Sequence, residues 1–202
     1  MTKPGTRDFD PDLVNNLVRA QYVSFKSIAT HDLTSGSAYS AGKLFEDIQP
    51  DETVNVLLQN PEDSEIYIDI NSRYLTQGSA RVHKTLNVDV IEEGTPSLII
   101  QRRSDISDGN EVIGQDNATV DESVGRKFNE KPIGGGTGVG TLRSAEIPSL
   151  ESLIAPGDNV CFFLENTSDS AYDAAIEPDF IEVPAELIES LPVLEIHEDG
   201  NI

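Results

Sequence analysis

The chain has 202 residues, enough for one domain of ordinary size with a buried core. It carries 36 Asp plus Glu against 14 Lys plus Arg, a formal net charge of -22. That balance argues against direct contact with a nucleic acid backbone, which takes clustered cations to displace counterions. A single cysteine, Cys161, rules out an intrachain disulfide.

The carboxylates run the whole length of the chain, in "QPDETV", "NPEDSE", "VIEEGT", "TVDESV" and "IEPDFIEVPAELIE", with no single acidic tail. A uniformly acidic surface repels itself in dilute buffer, and a Debye length of about 3 Å at 1 M salt screens that repulsion. The expectation is a surface adapted to concentrated salt. "QRRSD" supplies a basic pair, Arg102 and Arg103, read as opposite faces of a strand end paired with nearby acids. Cys161, set between Val160 and Phe162, reads as a buried apolar side chain and not a nucleophile. No run of 18 apolar residues exists and "MTKPGTRDFD" lacks a signal-peptide core, so a soluble protein with no membrane partner is expected.

In chain order, residues 1–21 form an arm with a short amphipathic helix. "DPDLVNNLVRAQ" places Leu13, Val14, Leu17 and Val18 on one face, with Asp10 as N-cap and Pro11 at the first helical position. From "YVSFKSI" onward the period changes to alternation, with turn residues every eight to twelve positions. Strands are predicted at 22–29, 44–48, 53–60, 64–74, 79–90, 97–102, 142–147, 160–166 and 171–183. Such a series predicts an all-β, jelly-roll-like antiparallel β-sandwich over residues 22–183.

The stretch 104–141 is polar and rich in Gly, Asp and Asn, with weak alternation near Val112 and Val120. It reads as a long loop excursion. Residues 184–202 form a C-terminal segment in which Leu187, Leu191 and Leu194 are too apolar for a free tail and are expected to dock. Together with Leu13, Val14, Leu17 and Val18 these are the candidate assembly contacts.

Two stretches repeat the same grammar. "LQNPEDS" (58–64) superposes on "LENTSDS" (164–170), matching Leu58, Asn60, Asp63 and Ser64 to Leu164, Asn166, Asp169 and Ser170. Each reads as a corner whose Asn and Asp supply the turn chemistry. Equivalent corners arise in a jelly roll, and also from the limited vocabulary of strand-turn-strand sequences.

Catalytic chemistry has little to stand on. "GGGTGVG" (134–140) lacks the Gly-Lys-Ser/Thr and following helix of a phosphate-binding loop, and reads as a flexible loop. His31, His83 and His197 are scattered without metal-ligand spacing. Glu92 and Glu93 do not stand out as acid and base among so many carboxylates. "SDISDGNE" (104–111) matches part of a calcium loop but lacks the Glu at the twelfth position. The expectation is a protein that is not an enzyme, with no catalytic residue, cofactor or metal.

The strand and corner in "VNVLLQNPEDSEIYIDI", followed much later by "APGDNVCFFLENTSDS", resemble small β-sandwich virion proteins of tailed viruses: capsid decoration, head-fibre or turret proteins. With the acidic composition, the resemblance points to viruses of halophilic archaea. It covers roughly residues 45–183 and rests on short motifs; the long 104–141 stretch departs from the compact version. It implies a homo-oligomer, a trimer or pentamer, mounted on other capsid or virion proteins in a particle assembled in a high-salt host cytoplasm. Two other classes share the fold: a single jelly-roll major capsid protein of an icosahedral virus from the same habitat, and a carbohydrate- or surface-binding module. The second is weakened by the absence of Trp and the dispersal of five Tyr. A hydrolase or isomerase on the same core would need clustered His and acids.

Overall fold

Alternation dictates where the core lies. In β3 (Thr53–Gln59) Val54, Val56 and Leu58 point one way, and in β14 (Asn159–Asn166) Val160, Phe162 and Leu164 do the same. They meet Ile68, Ile70 and Tyr74 of β4 (Ile66–Thr76) and Ala174, Ile176 and Phe180 of β15 (Tyr172–Pro184). The polar members of β4 and β15, Asp69, Arg73, Glu177 and Asp179, face away from this core. A computed structural model describes residues 38–101, 111–134, 143–147 and 153–186.

The remaining strands are β1 (Ala38–Ser40), β2 (Lys43–Ile48), β5 (Ala80–Leu86), β6 (Asp89–Glu92), β7 (Thr95–Pro96) and β8 (Ile100–Gln101). They are followed by β9 (Ile113–Asp116), β10 (Thr119–Asp121), β11 (Arg126–Ile133), β12 (Arg143–Ile147) and β13 (Leu153–Ile154). One sheet has the order β12-β4-β15-β1-β8, with β13 also pairing β4 and β2 also pairing β15. The facing sheet runs β11-β5-β14-β3-β9-β7, and β6 pairs with β10 in a separate ribbon. All of these pairings are antiparallel.

The chain changes sheet at almost every step: β2, β4, β12–β13 and β15 lie in one, β3, β5, β11 and β14 in the other. Four strands in the order β2, β15, β4, β12–β13 thus face four in the order β3, β14, β5, β11, the two interlocked Greek keys of a jelly roll. The all-β sandwich read from the sequence is the fold of the described residues. The Tyr74 hydroxyl, fully buried, donates to the His83 carbonyl at 3.0 Å and ties the sheets through the core.

The repeated corners are geometrically equivalent. Asn60 directly follows β3, and its amide donates to the carbonyls of Ile66 and Ile154; Asn166 ends β14, and its amide donates to those of Ser170 and Ile48. Each also exchanges backbone bonds with the turn that opens the neighbouring strand: Asn60 with Gly157 and Asp158, Asn166 with Asp51 and Glu52. At one constant spacing Ile48 matches Ile154, Pro50 matches Pro156, and Asp51 matches Gly157. Asp51 and Gly157 both have positive φ, 63° and 84°, in turns closed by equal 3.0 Å bonds. In the ladders Val56 lies opposite its own counterpart Phe162, and Ser72 opposite Pro178. A two-fold axis therefore passes through the centre of the sandwich.

Several boundaries differ from the sequence reading. The strand expected at 79–90 breaks at Asn87, whose φ of 54° turns the chain off the sheet into β6. Among the described residues, the strand expected at 97–102 is confined to Ile100–Gln101. The excursion expected over 104–141 carries, among its described residues, three strands, β9, β10 and β11, and β11 is an edge strand of the jelly roll itself. Among the residues of β11 whose side chains are described, Phe128 and Ile133 are the buried core residues, because a strand at a sheet edge needs few apolar anchors.

Candidate functional site

The segment between β5 and β11 is what this chain adds to the eight-stranded plan. Its first part, the β6–β10 ribbon, lies over the outer face of the β3–β14–β5 sheet. That face is apolar because β3 and β14 bury both sides: Leu57, Cys161 and Phe163 meet Val88 and Ala118 of the ribbon, with Val90 and Val120 against them.

Two asparagines pin the ribbon. Asn55 donates from Nδ2 to the Ala118 carbonyl at 2.9 Å and accepts the Ala118 N–H at 3.1 Å, while Asn117 accepts the Asn55 N–H at 3.2 Å and donates its own N–H back at 2.9 Å. Asn159 does the same to Val88 and Asn87, with four bonds between 2.8 and 3.1 Å. Asn87 and Asn117 share a left-handed backbone, φ 54° and 53°, which Asn tolerates better than other side chains. Each amide completes a backbone-like pair with a strand that lies across the sheet.

Beside the ribbon sits a part-buried polar cluster. Glu122, at the end of β10, meets His83 Nε2 at 2.6 Å and accepts the Thr85 hydroxyl at 3.0 Å, and the His83 ring stacks on Phe163 with centroids 4.6 Å apart. Desolvation lowers the His83 pKa from its ordinary value, against the Glu122 hydrogen bond, which raises it. A neutral ring with its proton on Nε2 fits this geometry and leaves Nδ1 as a buried acceptor without a partner. The adjacent Cys161 thiol is pushed well above its ordinary value by burial, so it supplies no thiolate for nucleophilic chemistry. The cluster fastens the ribbon and presents no activated nucleophile.

The second part of the segment closes one side of the sandwich. Pairing of β7 with β9 and of β9 with β3 widens one sheet, and β8 joins β1 in the other. Buried Asp116 accepts from the Ser97 hydroxyl and pairs with Lys43 across the sheets at 3.3 Å. Glu182, largely buried, accepts the Glu111 N–H at 3.0 Å, and burial raises its pKa. A depression of about 700 Å³ opens beside β7, with Pro61, Pro96 and Ile113 as apolar wall and Glu62, Glu93 and Asp158 among its lining.

The opposite side ends at β11. Arg81 bridges Glu165 at 2.9 Å and Glu130 at 3.2 Å, Lys127 meets Glu130 at 2.8 Å, and the Arg126 guanidinium lies 4.5 Å above the Phe128 ring. Sequence reasoning centred on Arg102 and Arg103 misses this second basic pair, Arg126–Lys127, whose signal is the run "GRKF".

The candidate assembly contacts Leu13, Val14, Leu17, Val18, Leu187, Leu191 and Leu194 lie outside the described residues, as do the strand expected at 22–29, His31, His197, Arg102, Arg103 and residues 135–140 of the glycine run. His83 is in a strand as expected, but buried. Glu92 is at the end of β6 and Glu93 just beyond it, both exposed. Among the described residues no group of three or more His, Cys, Asp or Glu has the geometry to hold a metal, and no helix is long and apolar enough to cross a membrane. Comparison with protein-family models, with curated proteins and with solved structures finds no match to this chain.

Proposed function

We propose that this chain is a non-enzymatic structural subunit of a virion, mounted on the capsid as a decoration or turret component of a virus whose host lives in concentrated salt. The observation that carries the reading is the strand order: a complete jelly roll, an architecture that recurs in viral capsid domains. Fold alone does not assign function; the acidic surface and a core filled by side chains add to it, since a packed interior offers no lumen for a small ligand. The His83–Glu122 pair serves the ribbon, which makes the outer face one body suited to repeated contacts.

A second form of the reading is favoured by the same strand order, namely a single jelly-roll subunit that builds the shell itself. Peptide mass spectrometry of purified particles, with copy number set against the other shell proteins, separates the two. A copy number fixed by one class of symmetry axis supports the decoration or turret role. A copy number that accounts for the whole lattice supports the shell subunit, and absence from particles of a virus that encodes the chain contradicts both.

A further inference from the structure

The six-stranded sheet carries opposite charge on its two edges. Strands β5 and β11 hold Arg81, Arg126, Lys127 and Lys131, with Lys84 buried, against one carboxylate, Glu130, in a chain with only 14 Lys plus Arg. The described part of the segment that forms the other edge has no Lys or Arg at all between residues 87 and 101 or between 111 and 125. At the β7–β9 edge itself lie Glu93 and Glu111, with Glu62 and Asp158 lining the depression beside it, while Asp116 is buried against Lys43 and Asp89, Glu92, Asp121 and Glu122 belong to the ribbon over the sheet.

Both edges also expose apolar side chains. Leu98 is 70% exposed and Ile113 50% on the acidic side, and Val124 is 64% exposed at the corner that leads into β11. Ser97 donates to the Gly114 carbonyl at 2.9 Å, which holds Leu98 near Ile113. Interfaces are built this way, with apolar contacts inside a charged rim.

The register sets the two features at one height. A single row crosses the sheet from Arg126 through Leu86, Val160 and Leu58 to Gly114, each residue opposite the next. The basic corner at 124–127 therefore stands level with the acidic depression at the far edge. Direct strand addition is blocked at β11 by Pro132 and by the register shift between Phe128 and Lys131, so contact there is made through side chains.

We infer that the occupant of these edges is a second copy of this chain. The Val124–Lys127 corner of one copy seats in the depression walled by Pro61, Pro96 and Ile113 of the next, with Arg126 and Lys127 against Glu62 and Glu93. Because the two edges differ, the contact is heterologous, and repetition about an axis along the strands closes a ring. The charge arrangement offsets the self-repulsion of a chain at -22 at the place where copies meet.

The inference rests on the reading of the chain as an assembling subunit. Sedimentation at one fixed salt concentration tests it with the wild type, a basic-edge variant (Lys127→Glu with Lys131→Glu) and an acidic-edge variant (Glu62→Lys with Glu93→Lys). These variants leave Arg126 on Phe128 and the ribbon clamps untouched, and circular dichroism checks that each folds. Each alone is expected to sediment as monomer at concentrations where the wild type assembles, and a chain carrying all four substitutions to regain the assembled mass, because the exchanged charges then match at every contact of the ring. Unchanged assembly by both variants, or a folded four-substitution chain that stays monomeric, overturns this interface while leaving the subunit reading standing. A wild type that is monomeric at every concentration overturns both. A Val124→Asp variant that assembles like the wild type also overturns it.

Discussion

Asn55 and Asn159 hold the two ends of one ribbon by the same pattern of four hydrogen bonds, Asn55 to Asn117 and Ala118, Asn159 to Asn87 and Val88. The first residues of the antiparallel β6 and β10 lie at opposite ends of the ribbon, so the paired clamps fix its position and its angle across the sheet. Asn55→Ala strands the N–H and C=O of Ala118, and Asn159→Ala strands those of Val88. Each substitution is expected to cost about 2–4 kcal/mol, since a buried group left unsatisfied costs about 1–3. Denaturant midpoints check the size. Hydrogen exchange checks the place, with accelerated exchange expected first at the amides of Val88 and Ala118; uniform acceleration across β3 and β14 would contradict the clamp.

The matched turns make a prediction of opposite signs. Gly157 has open space where an alanine methyl would go, with the nearest atom 3.8 Å away, so Gly157→Ala is strained by its φ of 84° alone. A cost of about 1–2 kcal/mol is expected. Asp51 sits at the equivalent φ of 63°, and Asp51→Gly is expected to be neutral or to gain about 0.5 kcal/mol, relief of backbone strain offset by the freer unfolded chain. Thermal unfolding of the two variants side by side measures this.

How much of the fold is legible in the sequence divides along the physics. Strands β4 and β15 are legible because each alternates around a thick core, β3 and β14 because each is a short apolar run buried on both faces, and Asn60 and Asn166 mark equivalent corners. Strands β9 and β11 are not: the buried residues of "IGQD" are Gly, Gln and Asp, which carry no apolar signal, and "RKFNEKPI" lies at a sheet edge, where alternation fades. The break at Asn87 is hidden because Asn-Val continues an apparent alternation while the backbone turns left-handed. The clamps are out of reach, since an asparagine that pairs with a strand 63 residues away leaves no local signal.

His83 gives the fold an acid limit. Its pKa is lowered in the folded state, so the unfolded chain takes up the proton first, and the associated stability is present above about pH 6.5 and lost as pH falls through the folded value. Urea midpoints of the wild type are expected to fall over that window. His83→Phe keeps the stack on Phe163 and removes the titration, so its midpoints lose the His83 part of that slope; two parallel curves would contradict the assignment.

Glu182 acts in the reverse sense. Burial raises its pKa, so its contribution is complete below the unfolded value and is lost as pH rises through the folded one. Glu182→Gln keeps an acceptor for the Glu111 N–H without a charge. The variant is expected to melt higher than the wild type at pH 7, with the difference vanishing near about pH 3, well below the unfolded value, where the wild-type carboxyl is protonated in both states. An equal difference at both pH values would show that charge burial is not the cause.

The central claim is that this jelly roll is built to assemble with copies of itself. Its most direct test is the molar mass of the purified chain by light scattering in molar salt, where the repulsion of 22 net negative charges is screened. A closed ring, a trimer or pentamer whose mass holds over a range of concentrations, is the predicted result. A monomer throughout that range would contradict the account.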